Sequence, residues 1–140
     1  MASKVFLDAN FLLDLTLKRA GFQKAFDLVQ MAINGEIRLF TTSAVLHITG
    51  YCTSQAYSPE QSKTLLLTLL NDVQIIDCDH KTALMALNSN IDDIEDALQY
   101  YTALKSGMDY FISADKKLRK AAIPQLPVYT SDELLAEFNN

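Results

Sequence analysis

The sequence contains few of the residues that mark disordered, disulfide-bonded or membrane-spanning chains. Its 140 residues include four glycines, three prolines and two cysteines. So few glycines and prolines argue against a loop-rich or disordered chain. Cys52 and Cys78 have no Cys-x-x-Cys spacing, which argues against a disulfide framework or a zinc site and favours the reducing cytoplasm. The longest apolar runs fall far short of the roughly 18 residues that span a bilayer, so we expect no membrane segment.

Positive charge is scarce as well. The chain has 12 Lys and Arg residues against 17 Asp and Glu residues, which gives a net charge of -5. A polyanion is not attracted to such a surface as a whole, so contact with nucleic acid requires a local basic patch or bound cations. An apolar fraction of 49% in a chain of this length is typical of one globular domain, which we expect over residues 1–140.

Short apolar runs of strand length alternate with helical patterns along the chain. A strong helix start, Ser-Pro-Glu-Gln at 58–61, precedes leucines at 65, 66, 69 and 70 that we expect to form a buried stripe. The strand-like runs are residues 5–7, 37–41, 73–76, 110–112 and 128–129. They are continuously apolar, as in parallel strands covered on both faces. We therefore predict a three-layer α/β/α domain with a central, mainly parallel sheet of about five strands.

Carboxylates follow the predicted strands, at the edge of the sheet where ligands bind in parallel α/β folds. Asp8 ends the first strand and Asp115 follows the fourth. Residues 72–96 carry seven carboxylates and one lysine, and Asp96 lies among four of them at the start of a helix. Carboxylates that gather in one place repel one another unless a cation compensates them, and Mg²⁺ and Mn²⁺ prefer such oxygen ligands.

A purely structural interpretation competes at each of these positions. Asp8 and Asp115 both precede helices, where aspartate is a common N-cap. Asp96 fits the solvated first turn of a helix equally well. The one dense basic cluster is open to the same interpretation, as a solvated helix face. Its members are Lys116, Lys117, Arg119 and Lys120.

Four motifs in order give these positions a common meaning. They read KVFLDANFLLD at 4–14, TSAVL at 42–46, DIEDALQY at 93–100 and DYFISAD at 109–115. Together they resemble the PIN domain family, whose hallmark is a strand that ends in Asp-x-Asn before a leucine-rich helix. The closing LPVYT segment fits the last strand of that family, so the resemblance covers nearly the whole chain.

The resemblance implies a ribonuclease that uses Mg²⁺ or Mn²⁺ to hydrolyse RNA phosphodiester bonds. The sequence is similar to the toxin subunits of bacterial VapBC-type toxin–antitoxin pairs. This similarity implies that the protein forms a homodimer and has a small antitoxin as its partner. Asp8, Asp96 and Asp115 would be the catalytic metal ligands, and Asp93 would reach the same ion through water. The basic cluster would hold RNA phosphates.

The resemblance also assigns supporting roles. Asn10 would support Asp8, and Ser113 would orient Asp115 or a bound water. The second motif departs from the family, which usually has a glutamate six residues beyond the serine matched by Ser43. Thr49 occupies that position and no carboxylate lies within residues 40–58, so a second metal would be held poorly.

This departure leaves a second interpretation open. A PIN-like module with weakened activity would keep the fold to bind RNA or a protein partner. A phosphoacceptor receiver-like domain also combines a doubly wound sheet with an acidic pocket. It is disfavoured because Asp8 is not followed by a second acidic residue of a pair, and because no lysine follows Val128 and Tyr129.

Overall fold

A single five-stranded sheet forms the centre of the structure, a computed structural model that describes residues 2–139. The strand order is β3-β2-β1-β4-β5, and every neighbouring pair is parallel. The predicted α/β fold is therefore confirmed, with a sheet that is parallel throughout. Met1 and Asn140, the ends of the predicted domain, lie outside the described residues. The strands are β1 (Ser3–Leu7), β2 (Ile37–Thr42), β3 (Val73–Ile76), β4 (Tyr110–Ile112) and β5 (Val128–Tyr129).

Helices connect the strands and cover the sheet. They are α1 (Ala9–Thr16), α2 (Phe22–Ile33), α3 (Ser43–Ala56), α4 (Pro59–Leu69), α5 (His80–Leu87), α6 (Ile94–Lys105), α7 (Lys116–Ala121) and α8 (Ser131–Phe138). All but α2 begin at a side chain that accepts a backbone N–H of the first turn, which satisfies one of the unpaired donors there. These N-caps are Asp8, Thr42, Ser58, Asp79, Asp93, Asp115 and Thr130. Within the described residues, no helix has both the length and the apolar character needed to cross a membrane.

Both faces of the sheet are buried. Successive side chains of a strand point to opposite faces, so Val5 and Leu7 pack into one apolar cluster and Phe6 into the other. Phe6 stacks on Phe111 with ring centroids 4.9 Å apart, and Tyr100 of α6 completes that layer. Burial on two faces explains why the strands are continuously apolar in sequence.

The leucine stripe of α4 is less buried than its spacing predicts. Only Leu69 is buried, while Leu65 and Leu66 are half-buried and Leu70 is exposed. The helix packs mainly against α3, so one neighbouring helix rather than a whole sheet face covers the stripe.

The strand order reverses at the centre of the sheet. From β1 the chain proceeds to β2 and β3 on one side, and later to β4 and β5 on the other. The carboxyl ends of β1 and β4 therefore flank the switch point, where ligands bind in open α/β sheets. Asp8 and Ser113 directly follow these two strands.

Candidate active site

Asp8 lies at the switch point and is half-buried. Its Oδ1 accepts the backbone N–H of Phe11 at 2.8 Å, which begins α1. Burial raises the pKa of Asp8 from 3.8 to about 6. Hydrogen bonds from the Phe11 N–H and the Ser113 hydroxyl lower this pKa, while the charges of Asp96 and Asp14 raise it. Asp8 is therefore an N-cap whose ionised form is energetically disfavoured in the folded protein.

Asp96 occupies the first turn of α6 and is half-buried, unlike the solvated residue of the structural interpretation. Burial is the largest cause that raises the pKa of Asp96 to about 6, followed by the negative charges of Asp93 and Asp115. Asp115 is also close enough to share a hydrogen bond with Asp96 that favours the protonated form. Asp96 thus interacts with Asp115 on one side and with Asp8 on the other.

Ser113 links two of these acidic residues. Its side chain is 4% exposed, and its Oγ accepts the backbone N–H of Asp115 at 3.1 Å. The same hydroxyl interacts with Asp8. Asp115 caps α7, since its Oδ1 accepts the backbone N–H groups of Lys117 at 2.8 Å and Leu118 at 3.4 Å.

Asp8, Asp96 and Asp115 are called the acidic group here, and Asp96 interacts with each of the other two. Among residues 2–139, no three His, Cys, Asp or Glu side chains are grouped closely enough to form a ready metal cluster. The capping hydrogen bonds of Asp8 and Asp115 use Oδ1, so the second carboxylate oxygen of each residue takes no part in the cap. Carboxylates that are partly removed from water and lie near other negative charges are the donor set that a hard divalent cation stabilises. The residues therefore fit such a cation.

Asp93 combines a structural and an electrostatic effect. Its Oδ1 accepts the backbone N–H of Asp96 at 2.9 Å, so it caps α6. Its negative charge raises the pKa of Asp96. Capping and a place in the acidic group are thus compatible, because a cap occupies one oxygen of the carboxylate.

Asn10 faces a cation rather than the acidic group. It is exposed, and its Oδ1 and backbone carbonyl accept hydrogen bonds from Arg19 Nη2 at 3.4 and 3.2 Å. Arg19 Nε also pairs with Asp14 Oδ1 at 2.9 Å. No hydrogen bond from Asn10 to Asp8 occurs among the described residues, so the predicted support of Asp8 stays a prediction.

The two residues expected from the second motif form no hydrogen bond with Asp8, Asp96 or Asp115 within the described residues. Ser43 is exposed, and its hydroxyl donates to Asp77 Oδ1 at 3.4 Å. Thr49 is fully buried, and its hydroxyl donates to the carbonyl of Val45 in the same helix at 2.8 Å. The Thr49 hydroxyl thus stabilises its own helix.

The basic cluster borders the acidic group. A cavity of about 210 Å³ is lined by four aspartates, which include Asp96 and Asp115 together with Asp92 and Asp93, and by Lys117 and Lys120. The two lysines are exposed, as is Lys116. Arg119 instead pairs with Glu133 of α8, with Nη2 and Oε2 2.7 Å apart. Of the four predicted RNA-binding residues, Lys116, Lys117 and Lys120 therefore form no ion pair within the described residues.

Sequence reasoning assigned no role to Gln99, although it is a buried polar residue one turn after Asp96. Its Nε2 donates to Glu95 Oε1 at 2.9 Å, and its side chain is 3% exposed. The signal in the sequence is a Glu–Gln pair four residues apart on one helix. That signal alone does not separate a packing residue from a binding residue.

We expect Asp8→Asn to stabilise the metal-free protein at neutral pH. Because the pKa of Asp8 is about 6 in the folded state and ordinarily 3.8, folding between these pH values takes up a proton. The resulting penalty is absent below pH 3.8 and grows as pH rises to 6. Unfolding by urea in EDTA should show a gain of about 2 kcal/mol near pH 7.5 and under about 0.5 kcal/mol near pH 4. Asparagine keeps the Oδ1 cap, so equal gains at both pH values would contradict the assignment.

Comparison with known proteins identifies the family. Ribonuclease VapC1 of Aquifex aeolicus is 25% identical over 146 residues, which cover 99% of this chain and 97% of that protein. VapBC2 of Rickettsia felis, solved with a promoter DNA fragment, has a TM-score of 0.71 at 18% identity and covers 91% of this chain and 98% of its own. VapC20 of Mycobacterium tuberculosis, a toxin that cleaves the sarcin–ricin loop, has a TM-score of 0.65 at 14% identity over 86% of this chain and 97% of its own. A sequence model of the PIN domain matches residues 4–117, and the chain therefore belongs to the PIN domain family.

Proposed function

We propose that this chain is an endoribonuclease, a hydrolase that uses Mg²⁺ or Mn²⁺ bound by Asp8, Asp96 and Asp115. The observation that carries the proposal is that Asp96 acts by its charge on Asp8 and is itself acted on by Asp115, beside the switch point of the sheet. The likeness to ribonuclease VapC1 along almost the whole chain supports the same activity.

The residues of the chain prepare the site in three ways. N-cap hydrogen bonds fix Asp8 and Asp115 through Oδ1 and leave Oδ2 for a cation. The Ser113 hydroxyl interacts with Asp8 and with the backbone N–H of Asp115, and so links the positions of the two residues. A divalent cation supplies the Lewis-acid chemistry, by stabilising negative charge on the phosphodiester and acidifying water. Asp93 adds negative charge beside Asp96, which favours cation binding there.

The lysines beside the acidic group are proposed to hold the RNA backbone. We expect the double variant Lys117→Ala with Lys120→Ala to reduce the slope of log affinity against log salt by about 1.4, since each contact with a single-stranded phosphate contributes about 0.7. Fluorescence anisotropy with a short RNA, in Ca²⁺ to limit cleavage, measures this slope. The control variant, Lys63→Ala with Lys81→Ala, removes equal charge from elsewhere. An equal loss in both variants would contradict a local RNA path.

We also propose that the chain is the toxin of a toxin–antitoxin pair, acts in the cytoplasm and forms a homodimer. A small antitoxin would then be its second partner. The two free cysteines are compatible with a reducing compartment. Leu84 and Leu87 lie one turn apart on α5 and are each more than half exposed, as expected of a surface that another subunit covers.

Light scattering tests the dimer. The double variant Leu84→Glu with Leu87→Glu is expected to have the mass of a monomer, because the charges would be buried without partners at the interface. Leu67→Glu, at an equally exposed leucine of α4, is the control and should remain a dimer. A wild-type protein with the mass of one chain would contradict the proposal.

Cleavage of a labelled RNA tests the activity itself. We expect cleavage by the purified chain with Mn²⁺ or Mg²⁺, and none with EDTA. The competing function, a module with weakened activity that binds RNA or a protein, is favoured by the burial of Thr49 and the missing carboxylate on α3. RNA binding without cleavage in Mn²⁺ would support that alternative and contradict the nuclease.

A further inference from the structure

A second cavity, of about 400 Å³, lies beside the acidic group at the carboxyl ends of β2 and β3. Ala44, Ala83 and Leu98 give it apolar walls. Asp77 and Glu95 are exposed at its margin, whereas Gln99 is buried. The combination of apolar walls with a few convergent polar groups is typical of a small-molecule site rather than a solvated groove.

Gln99 presents hydrogen-bonding groups to this cavity. A carboxylate only accepts hydrogen bonds, so the contact with Glu95 Oε1 requires that the amide nitrogen of Gln99 faces Glu95. The amide oxygen, Oε1, accepts no hydrogen bond among the described residues, yet no buried side-chain atom there lacks a partner. Oε1 must therefore remain accessible, and the accessible space that Gln99 lines is the cavity.

Hydroxyl groups of the cavity wall already have partners. Ser43 donates to Asp77 Oδ1 at 3.4 Å, Thr42 Oγ1 accepts a backbone N–H, and Thr102 donates to a backbone carbonyl at 2.7 Å. Asp77 and Glu95 each accept one hydrogen bond through one carboxylate oxygen, and each has a second oxygen. Together with Oε1 of Gln99, these oxygens make the remaining groups mostly acceptors.

The cavity adjoins the proposed site of cleavage. Gln99 is three residues after Asp96 on α6, which corresponds to a rise of about 4.5 Å along the helix. Glu95 is close enough to raise the pKa of Asp96 by its charge. Asp96 lines the lysine-bordered cavity and Gln99 lines this one, so the first turns of α6 separate the two spaces.

We propose that the cavity is a subsite for an unpaired guanine base of the RNA, next to the phosphodiester at Asp96. This inference rests on the proposed nuclease function and names the base that it prefers. The base would lie between the apolar walls, with its Watson–Crick edge toward Gln99 and the two carboxylates. Single-stranded RNA is commonly read in this way.

Hydrogen-bond complementarity selects guanine. An acceptor-rich cavity favours the base with the most N–H donors on one edge. Guanine carries donors on both N1 and N2, adenine and cytosine only on their exocyclic amines, and uracil only on N3. A carboxylate that accepts from a base amine is an established pairing in nucleic-acid recognition.

A binding experiment tests the subsite without cleavage. Guanosine monophosphate is titrated into the labelled protein, with uridine monophosphate in parallel, and the side-chain amide resonance of Gln99 is followed by NMR. We expect the guanine nucleotide to shift this resonance and to bind about tenfold more tightly than the uracil nucleotide. The Asp96→Asn variant should bind guanosine monophosphate as tightly as the wild type, because Asp96 does not line this cavity.

A cleavage experiment tests it on RNA. Oligonucleotides carry guanosine, inosine or uridine at one position, and inosine removes only the exocyclic amine. We expect cleavage beside guanosine to be about tenfold faster than beside inosine. The preference for guanosine should disappear in Gln99→Leu. It should also disappear in Glu95→Gln, a change at an exposed residue that leaves the packing of the core unchanged. Gln23→Leu is the matched control, because Gln23 donates to Asp27 at 2.9 Å across one turn of α2, far along the chain.

The outcomes separate the subsite from the nuclease. A shift of Gln99 by the guanine nucleotide in a protein that cleaves no RNA would support the subsite and overturn the nuclease. Cation-dependent cleavage at equal rates beside all three bases, unchanged in Gln99→Leu, would overturn the subsite alone. A shift of Gln99 by N-acetylarginine amide and not by the nucleotide would assign the cavity to a protein side chain and overturn the subsite.

Discussion

Asp96→Asn is expected to lower cation-dependent RNA cleavage by about a thousandfold or more. Asp96 is the middle member of the acidic group, because its charge acts on Asp8 and it shares a hydrogen bond with Asp115. An amide at this position removes one anionic ligand and leaves the helix and its cap intact, since Asp93 accepts the backbone N–H. Single-turnover cleavage in Mn²⁺ measures the loss of the chemical step.

An aspartate on another helix provides the control. Asp27→Asn makes the same change of charge at an exposed residue of α2 that does not act on the pKa of Asp8 or Asp96. We expect it to cleave within about threefold of the wild type, as surface substitutions usually have small effects. Equal losses in both variants would indicate a general effect of charge, and full activity in Asp96→Asn would reject the assigned ligands.

Mn²⁺ affinity is expected to fall about a hundredfold between about pH 7.5 and pH 5. Asp8 and Asp96 have pKa values raised to about 6, mainly by burial, so both are ionised at the higher pH and protonated at the lower. A cation must then displace two protons, and each displacement costs about a factor of ten at one unit below the pKa. Calorimetry in buffers of different ionisation enthalpy measures both the affinity and the protons released.

The same titration has an internal control. In Asp96→Asn only Asp8 remains to release a proton, so the affinity at neutral pH should be lower and its further fall about tenfold. Aspartates with the ordinary pKa of 3.8 would give an affinity that is almost flat over this range. A flat profile in the wild type would therefore show that the cation binds away from Asp8 and Asp96.

The fold was largely predictable because its signals are local. Continuous apolar runs gave the strands to within about two residues, and the capping box of Thr130 with Glu133 is present as its spacing predicts. The short helix α5 was not predicted, although Asp79 caps it, because eight residues carry little periodic signal. The buried stripe of α4 was overestimated for a related reason, since spacing defines a face and not what covers it.

The candidate site was predictable only in part. Positions after the strands assigned Asp8 and Asp115 to the carboxyl edge of the sheet, where β1 and β4 end, whereas the motif assigned Asp96 to the start of a helix, which is α6. The structural and functional interpretations of the aspartates proved compatible, because a cap uses one carboxylate oxygen. Side-chain partners could not be predicted, and the ion pair of Arg119 with Glu133 sets that residue apart from the other cations of its cluster.

The amino-acid sequence by itself determined the helices and strands, their caps and the aspartates that follow the strands. Each of these depends on residues only a few positions away. What three-dimensional packing alone decided is the electrostatic state of those groups. Asp8 and Asp96 are separated by more than half of the chain, yet in the folded protein the charge of Asp96 raises the pKa of Asp8, and partial burial raises the pKa of both residues. Burial also left the amide oxygen of Gln99 facing a cavity. Such effects depend on distances and solvent exposure in the folded state, and no local pattern encodes them.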